Sequence, residues 1–252
     1  MSDLRFIASK HAYRHKGKPI PGVTTLLGKG LPKPALVYWS AKTVAEYVAE
    51  NYEAVGDMLR TGGAGPTIGF LKQTPWQKRD EAAIRGSEIH ALAEKVVAGE
   101  EVEVPDQIHG YVDGYARWLD AFDVKPERTE YACYSVKNYY AGTADFRGWI
   151  AGRHCVADWK SSRGVYGSMG AQVAAYDNAE WWVDGDVDKP NEPTGNLCIV
   201  HIQDGLTEHR WVKDPEQIYR RWLHIAYVGK SIDLIDGCLD EPVTYPETEG
   251  AA

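Results

Sequence analysis

The chain has 252 residues, 44% hydrophobic, 11% aromatic and 25% charged, with a mean hydropathy of −0.42. This is globular composition with material for one sizeable core, which excludes disordered and fibrous classes. The formal net charge of −8 speaks against simple attraction to a polyanion, but residues 1–50 hold eight Lys and Arg against three Asp and Glu, leaving −13 for the rest. A basic lobe on an acidic body can still bind nucleic acid, because the potential at the contact surface decides.

In chain order, the amino terminus MSDLRFIASKHAYRHKGK lacks the apolar stretch of a secretory signal. No run reaches the roughly eighteen apolar residues of a membrane span. The expectation is a soluble, cytoplasmic protein without a membrane partner. KPALVYWSAKTVAEYVAENY has helical spacing after Pro34, and TGGAGPTIG at 61–69 reads as a Gly-rich, mobile loop. TPWQKRDEAAIRGSEIHALAEKVVAG opens with Thr74 as N-cap and Pro75 at the first helical position and stops at Gly99. A third helix is expected over Asp106–Phe122, followed by a strand at TEYACYSV.

GTADFRGWIAGRHCVADWK is expected to form a β-hairpin turning at Ala151 and Gly152. A helix near 168–183, strands at NLCIVHI and LTEHRWV, and a closing helix opened by Asp214 and Pro215 complete the pattern. The tail SIDLIDGCLDEPVTYPETEGAA holds six acids and no base. Four widely spaced cysteines (Cys133, Cys155, Cys198, Cys238) form no C-x-x-C and are expected to be buried free thiols. The order of elements implies an α/β (α+β) fold with a mixed central sheet flanked by helices. The organisation expected is a helical amino-terminal lobe over 1–125 carrying His90, a core over 126–235, and an acidic tail over 236–252.

Within CVADWKSS, Asp158 and Lys160 lie two residues apart and share one strand face. An ion pair on a solvated sheet is one reading of that spacing. The hairpin adds a second observation, because its register sets Asp145 directly opposite Asp158. Like charges there destabilise a sheet unless a cation sits between them, and a hard divalent cation takes carboxylate oxygens. His90 lies on the apolar stripe of Ala82, Gly86, Ile89, Ala93 and Val97, so its imidazole is expected to face inwards. Gln172 and Tyr176 lie one turn apart on one helix face.

The ordered set GSEIHALAE, GTADF, DWKSS and QVAAY, preceded by IPGVTTLL and YWSAK, resembles the PD-(D/E)xK nuclease superfamily over roughly residues 20–225. It is most similar to the RecB-like branch of phage exonucleases and mitochondrial genome-maintenance exonucleases. The resemblance implies a restriction-endonuclease-like core in which Asp145 and Asp158, with the Trp159 carbonyl and His90, ligate Mg²⁺ or Mn²⁺. It further implies that Lys160 orients and acidifies the attacking water. Glu130 matches an acid of the first core strand, and Gln172 and Tyr176 match the helix motif that supports the site. Thr24, Thr25, Lys33, Trp39 and Ser161 would contact DNA, and Lys29 and Lys42 would help guide the strand.

Two departures from the pattern are Ala144 where proline commonly precedes the first acid, and the absence of the four-cysteine motif, so no iron–sulfur cluster is expected. The function implied is a metal-dependent deoxyribonuclease, an exonuclease on single-stranded DNA ends, in the host cytoplasm if phage-encoded. Its partners would be DNA and a recombination or replication protein. The 61–69 loop would arch over a threaded strand. A non-catalytic DNA-binding module and a structure-selective endonuclease are the alternatives.

Overall fold

The computed structural model describes residues 2–7 and 12–242. Three short strands, β1 (Leu4–Ile7), β2 (Ala12–His15) and β3 (Lys18–Ile20), form a small antiparallel sheet. Helices α1 (Val23–Gly30), α2 (Pro34–Glu50), α3 (Tyr52–Gly62), α4 (Ala64–Val97) and α5 (His109–Ala121) follow. Strands β4 (Lys125–Ser135), β5 (Tyr140–Ile150) and β6 (Arg153–Lys160) then lead through α6 (Gly167–Asp177) to β7 (Trp181–Asp184) and β8 (Val187–Pro190). The chain closes with β9 (Leu197–Gln203), β10 (Leu206–Trp211) and α7 (Pro215–Asp236).

Seven strands form one mixed sheet in the order β10-β9-β6-β5-β4-β7-β8, with β6 and β9 parallel and the other neighbours antiparallel. The hairpin turns where expected. Ala151 and Gly152 both have positive φ, 50° and 74°, as a two-residue turn matched to strand twist requires. One sheet face packs Tyr131, Cys133, Ala144 and Val156 against α1, α6 and α7, with Trp222 fully buried among them. The other packs Phe146, Ala157, Trp159 and Val200 against α4 and α5 through Ile89, Tyr115 and Trp118. Helices on both faces of a sheet are the expected outcome when most strands are apolar on both sides.

Several expectations are corrected. Residues 61–69 do not form a loop: α3 and α4 are helical across them, broken only at Gly63, whose φ of 76° and ψ of 177° suit glycine alone. Pro66 is tolerated because it sits in the first turn of α4, where its missing N–H has no partner to lose. The helix expected to start at Thr74 therefore begins ten residues earlier. Pro75 lies inside it and cannot donate to the Leu71 carbonyl, which instead accepts from the Thr74 hydroxyl. The span 1–125, expected to be helical, opens on the three-stranded sheet.

The helix expected over 168–183 ends at Asp177, and Trp181 begins a hairpin that pairs with β4. Asp177 is buried and accepts from the Thr194 N–H (2.8 Å) and hydroxyl (2.9 Å) and the Gly195 N–H (3.1 Å), which draws the chain out of the helix. Of the four thiols, Cys133, Cys155 and Cys198 are buried, whereas Cys238 is exposed. No helix among the described residues is long and apolar enough to cross a membrane. Residues 243–252 of the acidic tail lie outside the described residues.

Candidate metal centre

Three neighbouring strands bring acids to one level of the sheet. Thr129 opposite Phe146 and Tyr131 opposite Ala144 set Glu130 across from Asp145. Ile150 opposite Arg153 and Phe146 opposite Ala157 set Asp145 across from Asp158, the register expected from the hairpin. Among the described residues neither ladder pairs Asp145 itself. Its carboxylate takes over the backbone's role, accepting the Trp159 N–H at 2.7 Å.

The strands deform to allow this. Tyr140 and Ala144 face one core layer and Phe146 and Ile150 the other, so the two-residue alternation of β5 changes phase at Asp145. Glu130 has φ of 44°, in the left-handed region that non-glycine residues seldom occupy. Backbone departures of this kind re-aim side chains, and they concentrate at functional sites.

From α4, His90 places Nδ1 3.7 Å from Asp145 Oδ2 with its side chain 29% exposed, so it borders the site instead of the core. Ligand atoms of His90, Glu130 and Asp145 all lie within 4.8 Å of one another. Asp158, fully buried, is engaged otherwise: Lys160 pairs with its Oδ2, and Gln172 Nε2 donates to its Oδ1 at 2.9 Å and to the Tyr176 hydroxyl at 3.0 Å. Tyr176 packs against Gly142, where a Cβ would come within 2.4 Å of the ring.

The electrostatics follow from crowding. Burial raises the Asp145 carboxyl, with Lys160 and the Trp159 N–H working against it. Burial pushes Asp158 up to about 7 against the pull of Lys160, and nearby Asp145 adds to the rise. Glu130 is exposed at the sheet surface, yet partial loss of solvation, then Asp145, Glu94 and Asp158, push it up to about 8. Burial opposes the charge on Lys160, but the carboxylates of Asp158, Asp145 and Glu130 prevail and raise its pKa. Burial and the Lys160 charge lower His90, favouring the neutral ring that a metal ligand requires. The Trp159 backbone, not its buried indole, faces His90.

The fold thus brings together His90, Glu130, Asp145, Asp158, Trp159, Lys160, Gln172 and Tyr176. Ser161 follows Lys160 with Oγ 3.3 Å from where a Cβ on Gly86 of α4 would lie. Thr24 and Thr25, exposed in the first turn of α1, Lys33 at the start of α2 and half-buried Trp39 make no hydrogen bond or ion pair with these residues among those described. Lys29 pairs with Asp233 at 2.7 Å and Lys42 with Glu46 at 3.4 Å, so two of the three cations expected to guide a strand are already matched.

Sequence reasoning missed Glu94 and Tyr115. Glu94 follows His90 by four residues, a spacing that puts both on one helix face, and it raises both Asp145 and Glu130. Tyr115 reaches the site from α5; its hydroxyl is buried without a hydrogen-bond partner among the described residues, and burial, with Asp145 adding to it, raises its pKa. Nothing local in the sequence signals it. No protein-family model and no curated protein matches the chain.

Proposed function

We propose that the chain is a metal-dependent deoxyribonuclease that hydrolyses phosphodiester bonds, acting from single-stranded ends. The observation that carries this reading is the convergence of His90, Glu130 and Asp145 beside the Asp158–Lys160 pair. Three acids and a lysine at one level of a sheet are costly as scaffolding, whereas a divalent cation relieves their repulsion. The carboxylate oxygens suit Mg²⁺ or Mn²⁺, and the one neutral imidazole favours Mn²⁺ of the two. The sequence α5-β4-β5-β6-α6-β9, with β6 and β9 parallel, supports the restriction-endonuclease-like core that the sequence resemblance implies.

His90, Glu130 and Asp145 would hold the ion, with Asp158 and the Trp159 carbonyl beside them. Once bound it would polarise the phosphate and lower the pKa of a water. Lys160 supplies a fixed ammonium: Asp158 holds it, and it can orient the attacking water and offset charge developing on the phosphate. Gln172 fixes Asp158 from α6 and is itself braced against Tyr176. Buried surroundings strengthen each of these interactions.

End-labelled single-stranded and duplex DNA, and a closed single-stranded circle, test the reading with Mg²⁺, Mn²⁺ or EDTA. The expected result is cleavage of linear single strands with either metal, none in EDTA or by Asp158→Ala, and survival of the circle. Full activity of Asp158→Ala, or equal cleavage in EDTA, would overturn the assignment. Cleavage of the circle would keep the site but make the enzyme an endonuclease.

A further inference from the structure

Helix α4 is 34 residues long, and its two halves are covered on different sides. Towards its end Ile89, Ala93 and Val97 enter the core, while nearer its start Thr67 and Thr74 are buried, in the half that packs against α2 and α3. At 3.6 residues per turn, Lys72, Trp76, Arg79, Ala83, Gly86 and His90 recur at intervals of four and three and fall within roughly 80° of one another around the helix. Thr67 and Thr74 lie on the opposite side. Residues 76–85 between these halves are exposed on every side of the helix, and along them this line joins Trp76 to the metal centre, roughly 21 Å along the axis.

The line has a distinct chemistry. The Trp76 indole is 58% exposed, with the Arg79 guanidinium 4.4 Å from its ring centroid. Asp80 holds that guanidinium through Nε (3.0 Å) and Nη2 (2.7 Å), which fixes it over the ring. Residues 61–79 contain Lys72, Lys78 and Arg79 and no acid, and Asp80 and Glu81, which follow, leave Lys72 and Lys78 without an ion pair among the described residues. Between Arg79 and His90 the line carries only Ala83 and Gly86, so no large side chain stands in the way, and it meets Ser161 beside the site.

We propose that this line is a binding track for single-stranded nucleic acid, with the Trp76 indole, backed by Arg79, stacking on one unpaired base and Lys72 contacting a phosphate. The assignment rests on the nuclease reading for its direction, towards His90, but the binding it describes is separable from catalysis. An exposed indole with a cation over one face is the platform that unpaired bases use, and the acid-free stretch supplies the charge complement of a phosphate backbone. At a stacked rise of about 3.4 Å per nucleotide, the distance corresponds to about six nucleotides.

Anisotropy of labelled oligothymidylates of about 16 and about 4 nucleotides, lengths that span known single-strand site sizes, tests this in EDTA, where no cleavage occurs. Trp76→Ala should weaken the long strand about tenfold while Trp76→Phe retains most of the affinity. Both should bind the short strand, which cannot bridge site and platform, as wild type does. Lys72→Ala should reduce the salt dependence of long-strand binding by about one phosphate contact. Unchanged long-strand affinity in Trp76→Ala, equal losses on both lengths, or no binding by wild type would overturn the track. A Trp76-dependent dimer with unchanged DNA affinity would make the face a protein surface and overturn it too. Metal-dependent cleavage of the short strand, measured separately, decides the nuclease reading independently.

Discussion

At the scale of single residues, Asp145 and Asp158 look interchangeable in the sequence and are not so in the fold. Asp145 carries a buried charge that Lys160 and the Trp159 N–H favour and Glu94 opposes, whereas Asp158 pairs directly with Lys160. Asp145→Asn should abolish hydrolysis and raise the metal-free Tm by about 2–4 °C, for about 1 kcal/mol gained chiefly by no longer burying a charge. Asp158→Ala should also abolish hydrolysis but lower the Tm, because it strands a buried ammonium, a loss of about 3–5 kcal/mol when such pairs are broken. The pH dependence separates the effects. Folded values of about 7 for Asp158 and about 8 for Glu130 exceed the ordinary values of 3.8 and 4.5, and Asp145 is raised as well. The metal-free folded state therefore binds more protons than the unfolded one between about pH 4 and pH 8, and these groups lose stability as pH rises through that window. The gain in Tm from Asp145→Asn should be small at the acid end and grow towards pH 8; a gain independent of pH would contradict the buried-carboxylate account. Asp145, Asp158 and Lys160 were legible because strand and hairpin spacing decide which side chains share a face. Glu130 came only through the resemblance, since a non-glycine residue gives no local sign of a left-handed φ.

At the scale of elements, α1 and α7 cross at two glycines. A Cβ on Gly30 would lie 2.2 Å from the Ile225 carbonyl oxygen, and one on Gly229 would lie 2.7 Å from that of Leu26. Gly30→Ala should cost about 1–3 kcal/mol by overpacking, whereas Gly28→Ala, with open space around it in the same helix, should be neutral or stabilising by up to about 1 kcal/mol. Chemical denaturation of the two variants measures the difference, and equal stabilities would contradict the close crossing. The long, periodic helices and the central hairpin could be read from spacing alone. The 61–69 segment could not, because glycine and proline count against a helix on propensity, while here Pro66 falls in a first turn and packing supports the rest. The β7–β8 hairpin was hidden by an apolar run that continues the pattern of α6. What ends that helix is the capture of Asp177 by Thr194 and Gly195, a tertiary event.

For the whole molecule, β5 occupies the middle of the seven-stranded sheet, so the candidate centre is braced from both sides and from helices on both faces. A ligand that binds only the folded state stabilises it by about 2.7 kcal/mol at a hundredfold excess over Kd. Mn²⁺ should accordingly raise the Tm of the wild type and reverse the loss of stability towards pH 8, while His90→Ala should need more Mn²⁺ for the same shift. A thermal scan with no response to Mg²⁺ or Mn²⁺ would argue against a metal centre. The alternation of helix and strand was enough to imply a mixed sheet between helices. It was not enough to reveal the small sheet of β1 to β3, whose strands are three or four residues long and carry too little pattern to stand out.

The sheet's outer strands have a consequence for self-association. β8 is four residues long and carries Asp188, Lys189 and Pro190, while β10 alternates Glu208 and Arg210 along its length. Short, charged or proline-bearing edges resist the addition of a further strand. Fibre growth by edge-to-edge pairing is therefore disfavoured at both ends of the seven-stranded sheet.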